Sequence, residues 1–252
     1  MTSVSNAAVG AFLAGNSAAK ARHGMNEAIA RLSSGVRSMY GGDAGGASVA
    51  HALRSEGRSA LMAARNVEDG ISFLQAGESA LLEIAALNTR LRELAVQDLN
   101  AAFLDANQEA AITAEETAIA AAANAIDTAD LNGTALLTAA VAFTTTLDGG
   151  TTSLGGNADL TIASGITAVD REFGKIAKAL GSAAAGIAAL KGHQGNLYAL
   201  AANSEAVAAR IQDTDFARSS ANLAKFSILN QSAMAMVAQA NQANSSVLAV
   251  LQ

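Results

Sequence analysis

Residues 209–252 carry a continuous stripe of apolar, small and amide side chains, and this pattern limits most strongly what the chain can fold into. The stripe alternates spacings of three and four residues and consists of Leu223, Phe226, Asn230, Ala233, Val237, Ala240, Asn244, Val247 and Leu251. Such spacing is typical of a helix that packs one face against another helix. Because an amphipathic helix gains most of its stability from that packing, the stripe predicts a partner.

A second, weaker stripe runs along the first 32 residues. It consists of Val4, Ala8, Ala11, Gly15, Ala18, Met25, Ile29 and Leu32. Two weak stripes at opposite ends of one chain indicate that the two helices bury each other, or their copies in other subunits. Gly35 follows the first stripe, at a natural C-terminal stop for a helix.

The sequence between the two terminal helices is also predicted to be mainly helical. Apolar residues recur at helical spacing over 47–100, 105–127 and 173–211, and the chain contains no proline. Abundant Ala, Leu, Glu and Arg also favour long helices. The glycine-rich sequence 41–46 predicts a flexible joint, because a phosphate loop would require a following Gly-Lys-Ser/Thr that is missing here.

Residues 138–168 differ in composition, since Thr, Gly, Asp and Asn replace Ala and Leu. Side chains alternate over 141–147 with the period of a strand. Asp148-Gly149-Gly150 is a turn signal, and 160–162 is a candidate for the return strand. The segment therefore predicts a small β-hairpin insert in a mainly α chain.

Composition and charge argue against several classes of protein. Hydrophobic residues make up 51% of the chain but aromatic residues only 4%, and without cysteine neither disulfides nor thiol-bound metals can form. Residues 66–170 hold two Lys/Arg against fifteen Asp/Glu, and the basic residues elsewhere form no dense patch, so we expect no nucleic-acid partner. No run approaches the roughly 20 apolar residues of a membrane span. The first 30 residues do not resemble a cleavable secretory signal.

No arrangement of side chains in the sequence predicts an enzyme, a cofactor or a metal site. His23, His51 and His193 lie far apart, so structural or solvated roles are expected for them. Glu115 and Glu116 are adjacent, and adjacent helical residues point in different directions. We therefore expect these two glutamates to form a solvated face.

Several motifs identify a family. The C-terminal part reads ARIQDTDFA over 209–217, LAKFSILNQ over 223–231 and QAN over 239–241. The N-terminal part reads RLSSGVR over 31–37 and RLRELAVQ over 90–97. Motifs of these types, in this order, resemble the terminal regions of bacterial flagellins.

The resemblance implies a structural subunit that self-assembles into the bacterial flagellar filament for motility. It implies an inner coiled-coil domain from 1–44 and 209–252, a rod-like helical bundle from 45–137 and 169–208, and a short insert at 138–168 in place of large outer domains. The residues expected to form the inner core of the assembly are Val4, Ala8, Ala11, Met25, Ile29, Leu32, Leu223, Phe226, Val237, Val247 and Leu251.

The resemblance also implies partners and a location. A cytoplasmic export chaperone would bind the C-terminal helix before the unfolded chain passes through the flagellar type III channel. The filament cap and hook-associated proteins would then be its partners in the extracellular flagellum. Arg90, Leu94 and Glu115 fall where the family carries the surface that a vertebrate innate immune receptor recognises.

Two other classes share part of this pattern. A hook–filament junction protein has similar terminal segments, although the ARIQDTDFA and LAKFSILNQ motifs favour a flagellin. A coiled-coil signalling module or a membrane-active translocator has similar alanine-rich helices. Proteins of that second class should lack the RLRELAVQ motif and the paired terminal helices.

Overall fold

The computed structural model describes residues 2–37, 43–146, 149–156 and 160–250. Within them the chain is mainly helical, which confirms the predicted fold class. The helices are α1 (Thr2–Ser34), α2 (Ala44–Asp98), α3 (Ala106–Asp127), α4 (Ile166–Gln212) and α5 (Phe216–Val250), with one 3₁₀ turn at Ala101–Phe103. Four short strands are β1 (Asp130–Leu131), β2 (Thr134–Ala135), β3 (Ala140–Thr144) and β4 (Thr151–Gly155).

The chain divides into two compact units, one of residues 1–55 with 204–252 and the other of residues 56–203. The first unit contains α1 and α5, which pack against each other. The second contains α3, the strands, residues 56–98 of α2 and residues 166–203 of α4. The domain boundaries predicted from the sequence remain predictions.

The connection after α1 begins at the expected glycine. Gly35 has a φ of 70°, and its N–H donates to the carbonyl of Arg31 at 2.9 Å, which ends the helix. The predicted flexible joint is shorter than expected, because Gly45 and Gly46 lie in the first turn of α2. Asp43 caps that turn by accepting a hydrogen bond from the Gly46 N–H at 2.8 Å. The remaining joint residues 41 and 42 lie outside the described part of the chain.

The hairpin predicted in the insert forms, but its return strand lies elsewhere. β3 pairs antiparallel with β4, from Ala140 opposite Gly155 to Thr144 opposite Thr151. Leu160 and Ile162 form no strand and are instead buried in the core of the second unit. The amide of Asn124 exchanges two hydrogen bonds of 3.3 Å with the backbone N–H and C=O of Ile162, and so replaces a strand partner.

A second hairpin was not anticipated from the sequence. β1 and β2 pair through a two-residue turn of Asn132 and Gly133, whose φ angles are 56° and 76°. Positive φ at both positions is characteristic of the type I′ turn, for which Asn-Gly is the preferred pair. The Asn-Gly pair at 132–133 is the sequence signal for this turn.

The core of the second unit joins α2, α3 and α4. It contains Leu81, Ile84 and Leu91 of α2, Ala123 of α3, and Val169 and Ile176 of α4. The β3–β4 hairpin is attached through Phe143, whose ring lies 5.9 Å from that of Phe73 of α2. Phe143 also lies so close to Gly70 that a Cβ there would come within 2.8 Å of its ring.

α4 is more apolar than the sequence analysis suggested. It contains an 18-residue stretch with a mean hydropathy of 1.2, which is long and apolar enough in composition to cross a membrane. The stretch meets this criterion through its mean hydropathy, which its many alanines raise, although it contains no run of roughly 20 apolar residues. One face of α4 carries Ile176, Leu190 and Leu197, which are buried in the second unit.

Candidate assembly surface

Two short connectors hold the end of α1 beside the start of α5. The N–H of Thr214 donates to the carbonyl of Gly35 at 2.9 Å, and the N–H of Arg37 donates to the carbonyl of Gln212 at 2.7 Å. These bonds make an antiparallel bridge between Val36 and Asp213. Because the C-terminal end of α1 adjoins the N-terminal end of α5, the two helices run antiparallel.

Arg54 stabilises this connection from α2. Its guanidinium donates to the buried Gln212 side chain at 2.5 Å and lies within 3.4 Å of Glu205 and 3.5 Å of Asp213. Gln212 and Asp213 lie within the ARIQDTDFA motif. No sequence pattern indicates this role of Arg54, because its partner Gln212 is 158 residues away in the chain.

The side of α1 that faces α5 is built from small residues. Ala18, Ala21, Gly24 and Ala28 are buried there, and the ring of Phe226 lies directly on the backbone at Gly24. Small side chains let the helices approach closely, but they bury little apolar area per residue. The pair therefore has a close contact without a large hydrophobic core.

The side chains predicted for the inner core of the assembly differ in how far they are buried within one chain. Ile29 is 47% exposed, so it lies outside the buried row of α1. The half-buried members are Ala11, Met25, Leu32, Leu223, Phe226 and Val237. Residue Leu251 and the side chains of Val4, Ala8 and Val247 lie outside the described part. A role in assembly stays a prediction for all of them.

Large apolar side chains are exposed on other sides of the same two helices. On α1, Phe12 is 69% exposed, and Val9 and Leu13 are also exposed. On α5, Met236 is 62% exposed; the others exposed there are Ile228, Leu229 and Met234. Apolar surface of this kind typically marks an interaction site. Val9, Phe12 and Leu13 were not predicted from the sequence, because they lie off the stripe of three-and-four spacing.

Two of the three residues predicted for receptor recognition are on the surface. The guanidinium of Arg90 donates to Glu115 Oε1 at 2.7 and 3.0 Å and to Glu93 at 2.9 Å. Hydrogen bonding to Glu115, and then to Glu93, raises the pKa of Arg90 above its ordinary value. Leu94 is 1% exposed, which corrects its assignment to a surface: it is a core residue.

The prediction that Glu115 and Glu116 form a solvated face holds only for Glu115. Glu116 is 8% exposed on the inward side of α3. Burial raises its pKa, and the negative charge of Asp98 raises it further. Adjacent residues on a helix point in different directions, so one of the pair can face solvent while the other faces the protein.

The described residues contain no group of three or more His, Asp or Glu side chains placed to hold a metal ion. His23, His51 and His193 belong to three different helices, α1, α2 and α4. The prominent features of the described chain are therefore helix pairs and exposed apolar rows.

Comparison with known proteins agrees with these features. The family model for the bacterial flagellin N-terminal helical region matches residues 6–142, and the model for the bacterial flagellin C-terminal helical region matches residues 166–251. The chain is 30% identical to a flagellin of Halalkalibacterium halodurans over 90% of its own length and 91% of that protein. It is 32% identical to the flagellar filament 33 kDa core protein of Treponema phagedenis, over 88% and 90% of the two chains.

A flagellin of Listeria monocytogenes is 27% identical over 88% of this chain and 90% of its own. These relatives are matched over about nine-tenths of their length, so little of them lies outside the region shared with this chain. The paired terminal helices and the two matched regions lead to one assignment. The chain belongs to the bacterial flagellin family, in a short form, and is a structural subunit of the flagellar filament.

Proposed function

We propose that this flagellin builds its filament by burying the exposed apolar rows of α1 and α5 against neighbouring copies. The observation that carries the proposal is that α5 has apolar side chains both toward α1 and on its free sides, as at Ile228 and Met236. A helix that is apolar on all sides is normally surrounded by protein. One α1 helix covers only one side of α5, so further copies must cover the rest.

The contact between copies must be heterologous, joining different surfaces of two subunits. A heterologous contact that does not close into a ring extends into a helical filament. The free sides of α1 and α5 are chemically different, since α1 offers Phe12 and Leu13 whereas α5 offers methionines and isoleucine. Methionine adapts to irregular surroundings, which suits a contact repeated along a helical lattice.

The test is a charge placed in the exposed row of α5. Met236→Glu should abolish salt-induced polymerisation, because a carboxylate would be buried without a partner at each contact. Thr113→Glu, on the exposed side of α3, serves as the control and should polymerise like the wild type. Circular dichroism of the monomers checks that both variants fold, and electron microscopy and sedimentation report assembly. Filaments of normal length from Met236→Glu would refute the proposal.

Before assembly, a partner must shield the exposed apolar row of α5. We infer that a cytoplasmic export chaperone binds α5, that the chain passes unfolded through the flagellar type III channel, and that it functions outside the cell. The support is the exposed apolar surface of α5, which would otherwise promote premature association. The filament cap and hook-associated proteins are then the proposed partners at the two ends of the filament.

A vertebrate innate immune receptor is a further proposed partner of the dissociated monomer. The support is the exposed Arg90–Glu115 pair, together with the matching RLRELAVQ motif. We also propose that the role of the chain is structural and not catalytic, because its family is a family of filament subunits.

A further inference from the structure

Two asparagines interrupt the stripe by which α5 packs on α1. The side-chain oxygens of Asn230 and Asn244 are buried, and no hydrogen-bond donor in the described part of the chain reaches either one. The two residues are fourteen positions apart, so they occupy the same position of the seven-residue repeat. Leu223 holds that position one repeat before Asn230, and Val237 holds it between the two asparagines. Polar and apolar residues thus alternate along one row of the interface.

The surroundings of Asn230 offer it no side-chain partner. The contact of Phe226 with Gly24 fixes the register of the antiparallel pair. One helical turn further along α5, Asn230 lies at the level of Ala18 and Ala21, which are both buried. Alanine carries no side-chain donor, and the N–H groups inside α1 are already used by the helix. A buried acceptor without a donor destabilises the arrangement that buries it.

We propose that Asn230 and Asn244 weaken the α1–α5 pair and thereby raise the subunit concentration that assembly requires. The inference rests on the proposed function, in which neighbouring copies complete the burial of these helices. A polar residue at a core position of paired helices lowers the stability of the pair. The α1 face is built mainly of alanine and glycine, so burying it yields little free energy. The destabilisation by two unpaired oxygens is therefore large relative to the stability that the interface gains from burial.

This role differs from that of the exposed apolar row. Residues such as Met236 are exposed and supply contact between copies, whereas the asparagine oxygens are already buried within one copy. Removing an apolar contact should weaken assembly, but removing a buried unpaired oxygen should strengthen it. The two sets of residues are therefore expected to change the critical concentration for polymerisation in opposite directions.

The experiment measures that critical concentration for Asn230→Leu and Asn244→Leu in the full chain. Leucine matches Leu223 at the same repeat position. Asn241→Leu is the control, because Asn241 is exposed on the same helix and the change alters composition and helix propensity equally. A second pair, Asn230→Ala and Asn244→Ala with Asn241→Ala as control, removes the oxygen without adding apolar bulk.

Each leucine variant should lower the critical concentration about tenfold relative to its control, as expected from relieving one unpaired buried acceptor. The alanine variants should change it in the same direction. A critical concentration equal to that of the control, or higher, would overturn the inference; a higher value would mean that a neighbouring copy donates to these oxygens. The proposed function fails separately, through normal polymerisation of Met236→Glu.

Discussion

The ring of Phe226 lies against the backbone of α1 at Gly24, where a Cβ would come within 2.7 Å of three ring carbons. Gly24 therefore acts as a recess in α1, and Phe226 is the largest side chain of the α5 stripe. This contact explains why α1, whose buried row is mainly alanine, pairs with α5 in one register. A slide by one turn would place the ring against an alanine Cβ.

The first prediction concerns that recess. Gly24→Ala should raise the critical concentration for assembly, because overpacking of a close contact typically costs about 1–3 kcal/mol. The intrinsic gain of about 0.5–1 kcal/mol from replacing a helical glycine acts in the opposite direction. Gly15→Ala is the matched control, since nothing lies within 4 Å of the added methyl group. It should leave assembly unchanged or improve it.

A second substitution identifies the cause. Phe226→Leu alone should weaken assembly, whereas Phe226→Leu combined with Gly24→Ala should be less harmful than the sum of the two single changes. Residues in contact show such non-additivity, while independent sites do not. Additive effects would indicate that Gly24 is needed for a reason other than the ring of Phe226.

The second prediction concerns the side-chain amide of Asn124, which forms hydrogen bonds with the backbone of Ile162. Asn124→Ala should destabilise the second unit by about 1–3 kcal/mol, because the buried backbone N–H and C=O of Ile162 would lose their partners. Urea unfolding of the monomer measures this change. Asn107→Ala, at an exposed position of α3, is the control. Equal stability of the two variants would show that water forms hydrogen bonds to the backbone N–H and C=O of Ile162 when the Asn124 amide is removed.

These residues show which parts of the fold the sequence could reveal. The start of α3 was predictable, because Asp105 and Gln108 form a capping box with the first helical N–H groups. The end of α1 was predictable from Gly35, since glycine adopts a positive φ easily. In each case the determinant lies within a few residues of the boundary it sets.

The features that the sequence did not reveal depend on distant residues. The alternation at Leu160–Ile162 is the same whether the segment pairs with β3 or with the side chain of Asn124. The burial of Glu116 and Leu94 depends on helices that pack against α3 and α2 from elsewhere in the chain. The exposed row at Phe12 was hidden for another reason: it faces away from the partner that the stripe identified.

The third prediction concerns the buried carboxyl of Glu116. Its pKa is raised above the ordinary value of 4.5, so the folded unit favours the protonated form. The contribution of this group to stability therefore falls as the pH rises through the interval between the ordinary and the raised pKa. Glu116→Gln should stabilise the monomer at pH 7, and the gain should disappear at pH 4 and below.

Thermal unfolding of the monomer at the two pH values measures this effect. Glu83→Gln is the control, because Glu83 lies exposed on α2. It should change stability little at either pH. A gain for Glu116→Gln that is the same at pH 4 and pH 7 would mean that the effect comes from packing and not from the charge.

The fourth prediction concerns the exposed Arg90–Glu115 pair. Exposed ion pairs contribute only about 0–1 kcal/mol, so Arg90→Ala should leave the monomer folded. Arg92→Ala is a matched control, because Arg92 is also exposed and pairs with Asp170 at 2.7 Å. In a reporter assay with dissociated monomer, Arg90→Ala should activate the innate receptor more weakly than the wild type, and Arg92→Ala should not. If the wild-type monomer does not activate the receptor at micromolar concentration, the proposal that this receptor is a partner is refuted.

The last prediction concerns the order of the terminal helices in the monomer. The buried row of α1 consists of alanine and glycine, and burial yields only about 25 cal/mol per Å² of apolar surface. Ordering each residue costs roughly 1–2 kcal/mol of backbone entropy. An isolated α1–α5 pair should therefore be largely unfolded, and neighbouring copies should supply the missing burial.

Hydrogen exchange measures this directly. In a verified monomer the amides of 1–32 and 216–252 should exchange almost freely, whereas those of 50–127 and 170–205 should be protected by the core of the second unit. In filaments both terminal segments should become protected, because every copy is then covered by others. Strong protection of 216–252 in the monomer would show that α1 alone is a sufficient partner for α5, and folding would then precede assembly.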